Sequence, residues 1–190
     1  MTLYQRLGQL AKRYNAQALL FKHGFNFSPM YRRTTARITE VSDDLLRVRI
    51  RLPISWRNRN YVGTIFGGSM AAATDPIAMV QLINLLGDDY VVWDKAGTIR
   101  FRRPAKENLY AEFTYGEAEL ADIRRRVAET DEITIEKETR LTDQAGTTVY
   151  AEVSKTLYVA NKAFYRAKRK KASAPRSQSG ASGSRSNPDD

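Results

Sequence analysis

The sequence predicts an α+β domain in which a long antiparallel sheet wraps around one central apolar helix. Three observations carry this. The elements run in the order helix, two strands, one apolar helix, four strands. The middle helix, Gly68 to Leu86, is apolar nearly all round, and such a helix is buried on most sides. The segments around it alternate apolar and polar residues with the period of a half-buried strand. A lone apolar helix needs a cover, and a sheet curved around it supplies one.

Leu3, Leu7, Leu10, Tyr14, Ala18 and Phe21 recur at steps of three and four, so an extra N-terminal amphipathic helix is expected within residues 1–24, with Thr2 as its N-cap. Its polar face carries only Arg6, Lys12 and Arg13, which favours a helix laid on the flank of the domain over one lying on a membrane surface. Lys22-His23-Gly24 reads as its C-terminal end. Ala36, Ile38 and Glu40 then alternate, as do Leu46, Val48, Ile50 and Leu52, with Ser42-Asp43-Asp44 between them as a turn. This is a hairpin with one wet, basic face, ended by Pro53. An irregular loop, Ile54 to Phe66, leads into the central helix, where Pro76 is expected to bend it or cost it a hydrogen bond. Gly87 stops it.

Four strands are predicted to follow. Tyr90–Arg103 puts Trp93, Ile99 and Phe101 on one face, and Leu109–Leu120 does the same with Leu109, Ala111, Phe113 and Tyr115. Ala121–Glu129 reads as a short helix with Ile123 and Val127 inward. Glu132–Thr142 and Thr147–Ala160 flank Asp143-Gln144-Ala145-Gly146, a hairpin loop, and the last strand alternates Val149, Ala151, Val153, Leu157 and Val159.

Length and composition bound the rest. The 190 residues, 42% of them apolar, fit one domain over residues 1–161 with a tail at 162–190. The tail holds eight Lys/Arg and two Asp, so most of the net charge of +10 belongs to it. Lys162 to Lys171 is a helical continuation at most, and Ala172 to Asp190 has the composition of a disordered segment. The absence of cysteine excludes disulfides, thiolate zinc sites and a cysteine nucleophile. A single histidine, His23, argues against a Ser-His-Asp triad and a multi-histidine metal site. The N-terminus lacks a secretory signal's apolar run, and Asp75, Pro76, Gln81 and Asn84 interrupt the longest apolar segment, so a cytoplasmic protein with no membrane span is expected.

The chemistry concentrates at Asn60-Tyr61-Val62-Gly63-Thr64-Ile65-Phe66-Gly67-Gly68-Ser69 and at Asp75. Glycine lets the backbone approach a ligand closely, and the first N–H groups of a helix have no internal partner. An apolar wall, free donors and one carboxylate are the ingredients of an acyl-handling site. Two readings stand for Asp75: a working acid, or a buried acid paired with Lys95 or an arginine. Gly67-Gly68 equally suits close helix–sheet packing alone.

With Asn60, Gly67, Gly68 and Asp75 at matching spacings, this pattern resembles the Asn…His-Gly-Gly…Asp motif of the hotdog-fold thioesterases, in their phenylacetyl-CoA-thioesterase-like branch. Trp93-Asp94-Lys95-Ala96-Gly97-Thr98-Ile99-Arg100-Phe101-Arg102-Arg103-Pro104 resembles the strand that follows the helix there. Gly-Thr-Ile-Phe-Gly-Gly together with Trp-Asp-Lys is most similar to an uncharacterised bacterial hotdog branch known as a domain of unknown function. The resemblance covers about residues 30–160, and Phe66 stands where the family has histidine.

The resemblance implies an acyl-CoA thioesterase working as a dimer or tetramer, with coenzyme A as part of the substrate and no separate cofactor or metal. Gly68 and Ser69 N–H are candidates for the oxyanion, Asp75 for base or nucleophile, Asn60 for positioning water or the carbonyl, and Thr64 for assistance through its hydroxyl. Arg100, Arg102, Arg103 and Lys106 are candidates for the phosphates. Asp75 lies seven residues beyond Gly68, or ~10 Å along a helix axis, so one carbonyl is reached by both only across a symmetric dimer. The alternative function is an acyl-CoA- or acyl-chain-binding module without turnover. A hydratase ranks below both, since His23 lies away from the motif. Nucleic-acid binding through Arg166, Lys168, Arg169, Lys170 and Lys171 is not expected, because no aromatic residue follows Tyr165.

Overall fold

The computed structural model describes residues 17–173. The first sixteen residues, including most of the expected amphipathic helix and its Thr2 cap, and residues 174–190 lie outside the described residues. What is described of the N-terminal helix is α1 (Gln17–Phe27), which runs through Gly24 rather than stopping there. His23 therefore lies inside the helix, where its ring stacks on Phe27 at 6.0 Å. A short helix follows, α2 (Pro29–Arg33).

The strands β1 (Arg37–Val41), β2 (Arg47–Leu52), β3 (Tyr90–Phe101), β4 (Leu109–Thr114), β5 (Glu132–Thr142) and β6 (Val149–Asn161) form one six-stranded sheet in the order β1-β2-β4-β5-β6-β3. Every pairing is antiparallel. Alternation places Val48, Ile50 and Leu52 inward and Arg47, Arg49 and Arg51 outward, the wet basic face expected of this hairpin. The Asp143 carboxylate closes the β5–β6 hairpin by accepting from the N–H of Thr147 at 2.8 Å, with Gly146 at φ +75°.

The fourth strand is shorter than its alternation predicts. It ends at Thr114, and α5 (Glu117–Thr130) begins four residues early. Gly116 is its N-cap, and the Glu119 carboxylate accepts from the Gly116 N–H at 3.4 Å, half of a capping box. The last strand runs into α6 (Lys162–Ser173), so Ala172 and Ser173 are helical.

The central helix is present in two pieces, α3 (Gly67–Thr74) and α4 (Ile77–Leu86), parted at Asp75-Pro76. By length and composition it would cross a membrane, yet half of that window is buried inside the fold. Gln81 fastens it to the sheet: fully buried, its amide donates to the Leu45 carbonyl at 2.7 Å. Met70, Ala73 and Ile77 pack among Tyr31, Ile38, Ile50 and Leu109, whereas Leu82 and Leu86 pack among Leu120, Ile123, Val127 and Leu157.

One irregularity matters for the site. Against β6, β3 carries a bulge between Asp94 and Ala96. A single extra residue reverses the alternation beyond it. Asp94 pairs with the inward Leu157 and Gly97 with Lys155, so Asp94 and Gly97 face the helix although they are three positions apart. The expectation that Trp93 shares a face with Ile99 and Phe101 is thereby corrected. Trp93 sits opposite Tyr158 on the outer face, and Phe101 lies over Gly67 on the inner one.

Candidate functional site

The start of α3 is held by a loop whose polar atoms are mostly spent on one another. Asn60 Nδ2 donates to Thr64 Oγ1 at 2.9 Å, and Thr64 N–H donates to Asn60 Oδ1 at 3.0 Å. These two candidates thus shape the turn, with Gly63 at φ +79° between them. Asn58, which the sequence did not single out, anchors the loop: it is buried, donates to Thr35 Oγ1 and to the Pro53 carbonyl at 2.8 Å each, and accepts the Ser55 N–H through its side chain. Its own carbonyl receives the Phe66 N–H at 2.8 Å.

At the helix start, the Ser69 N–H donates to the Phe66 carbonyl at 2.9 Å. The N–H groups of Gly67 and Gly68 have no partner among the described residues, so the open donors are shifted one residue toward the N-terminus from the expected Gly68–Ser69 pair. Both glycines lie against aromatic rings. A methyl group at Gly67 would meet the Phe101 ring at 2.7 Å, and one at Gly68 would run into the ring of Phe66. Both rings are more than half exposed.

A groove of about 590 Å³ opens here, with Met30, Arg33 and Thr34 on one wall and Phe66, Gly68, Ser69, Ala72 and Asp75 on the other. The buried Tyr31 hydroxyl, donating to the Ala73 carbonyl at 3.1 Å, clamps α2 against the helix. Desolvation raises that phenol well above the ordinary tyrosine range.

Asp75 is not the buried acid its apolar helix implied: its side chain is 65% exposed and faces the groove. It is paired, but with neither Lys95 nor an arginine. Lys155 of β6 donates to Asp75 Oδ1 at 2.6 Å, and its side chain is only 8% exposed. A second carboxylate completes the cluster. Asp94 Oδ1 lies 3.2 Å from the same Nζ, although the alignment makes no hydrogen bond. Burial pulls the Lys155 ammonium toward neutrality, but the Asp75 hydrogen bond and the two carboxylate charges outweigh it and hold the group above its usual range. Asp94 is raised as well, which for an acid favours the neutral form: desolvation raises its carboxyl and the Lys155 charge only partly offsets it. The sequence held one signal for Lys155, a lysine on the core-facing phase of a strand that otherwise reads Val149, Ala151, Val153, Leu157 and Val159.

The arginines lie elsewhere. Arg100 stands opposite Glu152 on the outer face, in a shallow depression shared with Glu138 and Arg140. Arg102 is tied to Glu152 through two hydrogen bonds. Arg103 and Lys106 are exposed in the β3–β4 connection and make no ion pair among the described residues. Among the described residues no His/Cys/Asp/Glu group has the arrangement to hold a metal ion.

Residues 17–159 match the model of a family described as Domain of unknown function (DUF4442). A Pseudomonas aeruginosa protein of unknown function, called a probable thioesterase, has a similar structure: TM-score 0.67 and 23% identity over 75% of this chain and 95% of that one. A Chlorobaculum tepidum protein of unknown function gives 0.62 and 16%, covering 80% and 95%. A mutant of a thioesterase enzyme from Staphylococcus aureus gives 0.51 and 13%, covering 70% and 99%. These likenesses establish the fold, which is the hotdog fold. No curated protein matches the chain.

Proposed function

We propose thioester hydrolysis as the function of this chain, which belongs to the DUF4442 family. The substrate class is an acyl-CoA or a related thioester, and the site is shared between two copies. The observation that carries the proposal is one wall of the groove, where the Gly68 backbone, whose N–H is open, and a fixed, exposed carboxylate stand about two turns apart. In the reaction, a water oxygen attacks the thioester carbonyl while Asp75 takes the water's proton. Charge developing on the carbonyl oxygen is met by the Gly67 and Gly68 N–H groups and the positive end of α3. The C–S bond then breaks, the thiolate takes the proton back from Asp75, and a carboxylic acid and a thiol leave. Since Gly68 and Asp75 are about two turns apart on one helix, the donors of one copy serve the carboxylate of the other. Exposed Phe66, Phe101 and Trp93 beside the β3 edge suit burial between such copies. The phosphates of coenzyme A would fall to Arg103 and Lys106, with Arg100 and Arg102 reached over that edge.

One observation favours a second reading, acyl binding without turnover: the Phe66 ring lies over Gly68, next to one of the open donors. A panel of acyl-CoAs separates the two. Hydrolysis of at least one member, reduced about 10²–10⁴-fold in Asp75→Asn with the oligomer intact, supports the enzyme. Tight binding with no hydrolysis supports the binder.

A further inference from the structure

The cluster of Asp75, Lys155 and Asp94 holds two carboxylates around one cation, and the three members differ sharply in exposure. The lysine is buried, Asp94 is 26% exposed and Asp75 is 65% exposed. Such a cluster carries one negative charge in excess. The excess has a use. A general base must accept a proton, and a carboxylate paired alone with a buried lysine would leave that lysine unpartnered when it did so. Stranding a buried charge is strongly unfavourable. With Asp94 present, the ammonium keeps a counter-charge throughout.

We propose that Lys155 and Asp94 are positioning residues for Asp75: Lys155 fixes its carboxylate at the groove, and Asp94 holds the lysine's charge in balance while Asp75 carries a proton. Two features of the fold are spent on this arrangement. The β3 bulge is what turns Asp94 inward, and Gly97 leaves room for the lysine stem, since a methyl group there would meet Lys155 Cδ at 3.2 Å.

The surrounding charges are accounted for. Lys137 of β5, beside Lys155 in register, is occupied by Glu119 of α5 at 2.7 Å and lies 4.2 Å from the Tyr115 ring centroid. Tyr115, at the end of β4, donates to the Ala78 carbonyl. Arg33 of α2 lines the same groove as Asp75 and makes no ion pair among the described residues. Lys95 at the bulge is exposed on β3.

The role supposes that Asp75 is the base of the hydrolysis proposed above, but its electrostatic core is testable without turnover. Carbon-13 NMR of the aspartate carboxyls follows the Asp75 titration directly in the whole chain and in two variants. Lys155→Met removes the cation, and the Asp75 midpoint should rise. Asp94→Asn removes the second anion, and the midpoint should fall. The acidic limb of the acyl-CoA pH–rate profile should move in the same two directions. Shifts of the same sign in both variants, or an unmoved Asp75 in Asp94→Asn, overturn the proposal. If Lys155→Met does not fold, the Asp94→Asn result decides alone. Opposite shifts with no hydrolysis of any acyl-CoA would sink the enzyme reading while leaving the charge balance standing.

Discussion

The two halves of the central helix, joined at Asp75-Pro76, are put to different uses. The first half, Gly67–Thr74, is built from glycine, alanine, serine and threonine with one methionine, and it leaves Gly68 and Ala72 exposed along a groove. The second half, Ile77–Leu86, is built from large apolar residues, and Ile77 and Leu82 are fully buried. Small side chains let rings and ligands come close to the backbone but bury little surface. Large ones fill the space under the sheet, with Ile83 alone of them left exposed. The open groove and the filled core are thus divided between the two pieces, and the break at Asp75-Pro76 falls where the division lies.

That division can be attacked in order of expected effect. Leu82→Ala should cost about 2–5 kcal/mol in chemical denaturation, since the side chain is fully buried and its loss leaves a cavity. A loss under 1 kcal/mol would mean that the second half does not anchor the fold. Gln81→Leu should cost about 1–3 kcal/mol by leaving the Leu45 carbonyl without its donor. Part of that is recovered, because the buried Gln81 Oε1, which has no partner, goes as well. Pro76→Ala should change stability by less than about 1 kcal/mol. Pro76 already has a helical conformation at φ −84°, and the restored N–H could rejoin the two halves through Ala72. Slower amide exchange around residues 75–80 would show the joining.

The smallest effect is a pH slope. Asp94 is held above its ordinary value by burial, so the folded chain binds its proton more tightly than the unfolded chain does. The stability it contributes is complete below the unfolded value of about 3.9 and declines as pH rises through the raised one. The difference between the natural chain and Asp94→Asn, measured by denaturation at several pH values, should fall across that window. A difference that rises there would mean that Asp94 is favoured in its charged form.

Much of this was legible in the sequence. The β1–β2 hairpin, the fifth strand and the Asp143-Gly146 turn follow from local alternation and turn chemistry, which need only near neighbours to be read. The fourth strand was overextended because Leu109 to Tyr115 alternates cleanly and nothing in that period marks Gly116 as a cap. Gly68 and Asp75 were visible as a motif, and the groove brings them to one wall. Asn60 was read as a positioning group and Thr64 as an assisting hydroxyl, and the structure adds that they hold a turn together, because a side-chain amide serves its own loop as readily as a ligand.

By itself, the sequence determined the order of the elements, the faces they bury and the glycine-led start of the central helix, since all of these are set by residues a few positions apart. Only the tertiary structure decided what Asp75 does with its charge. Its partner lies 80 residues away on a strand whose register, together with one bulge in its neighbour, brings a lysine and a second aspartate beneath the helix. Electrostatic partnership acts through space, and no periodicity along the chain records it.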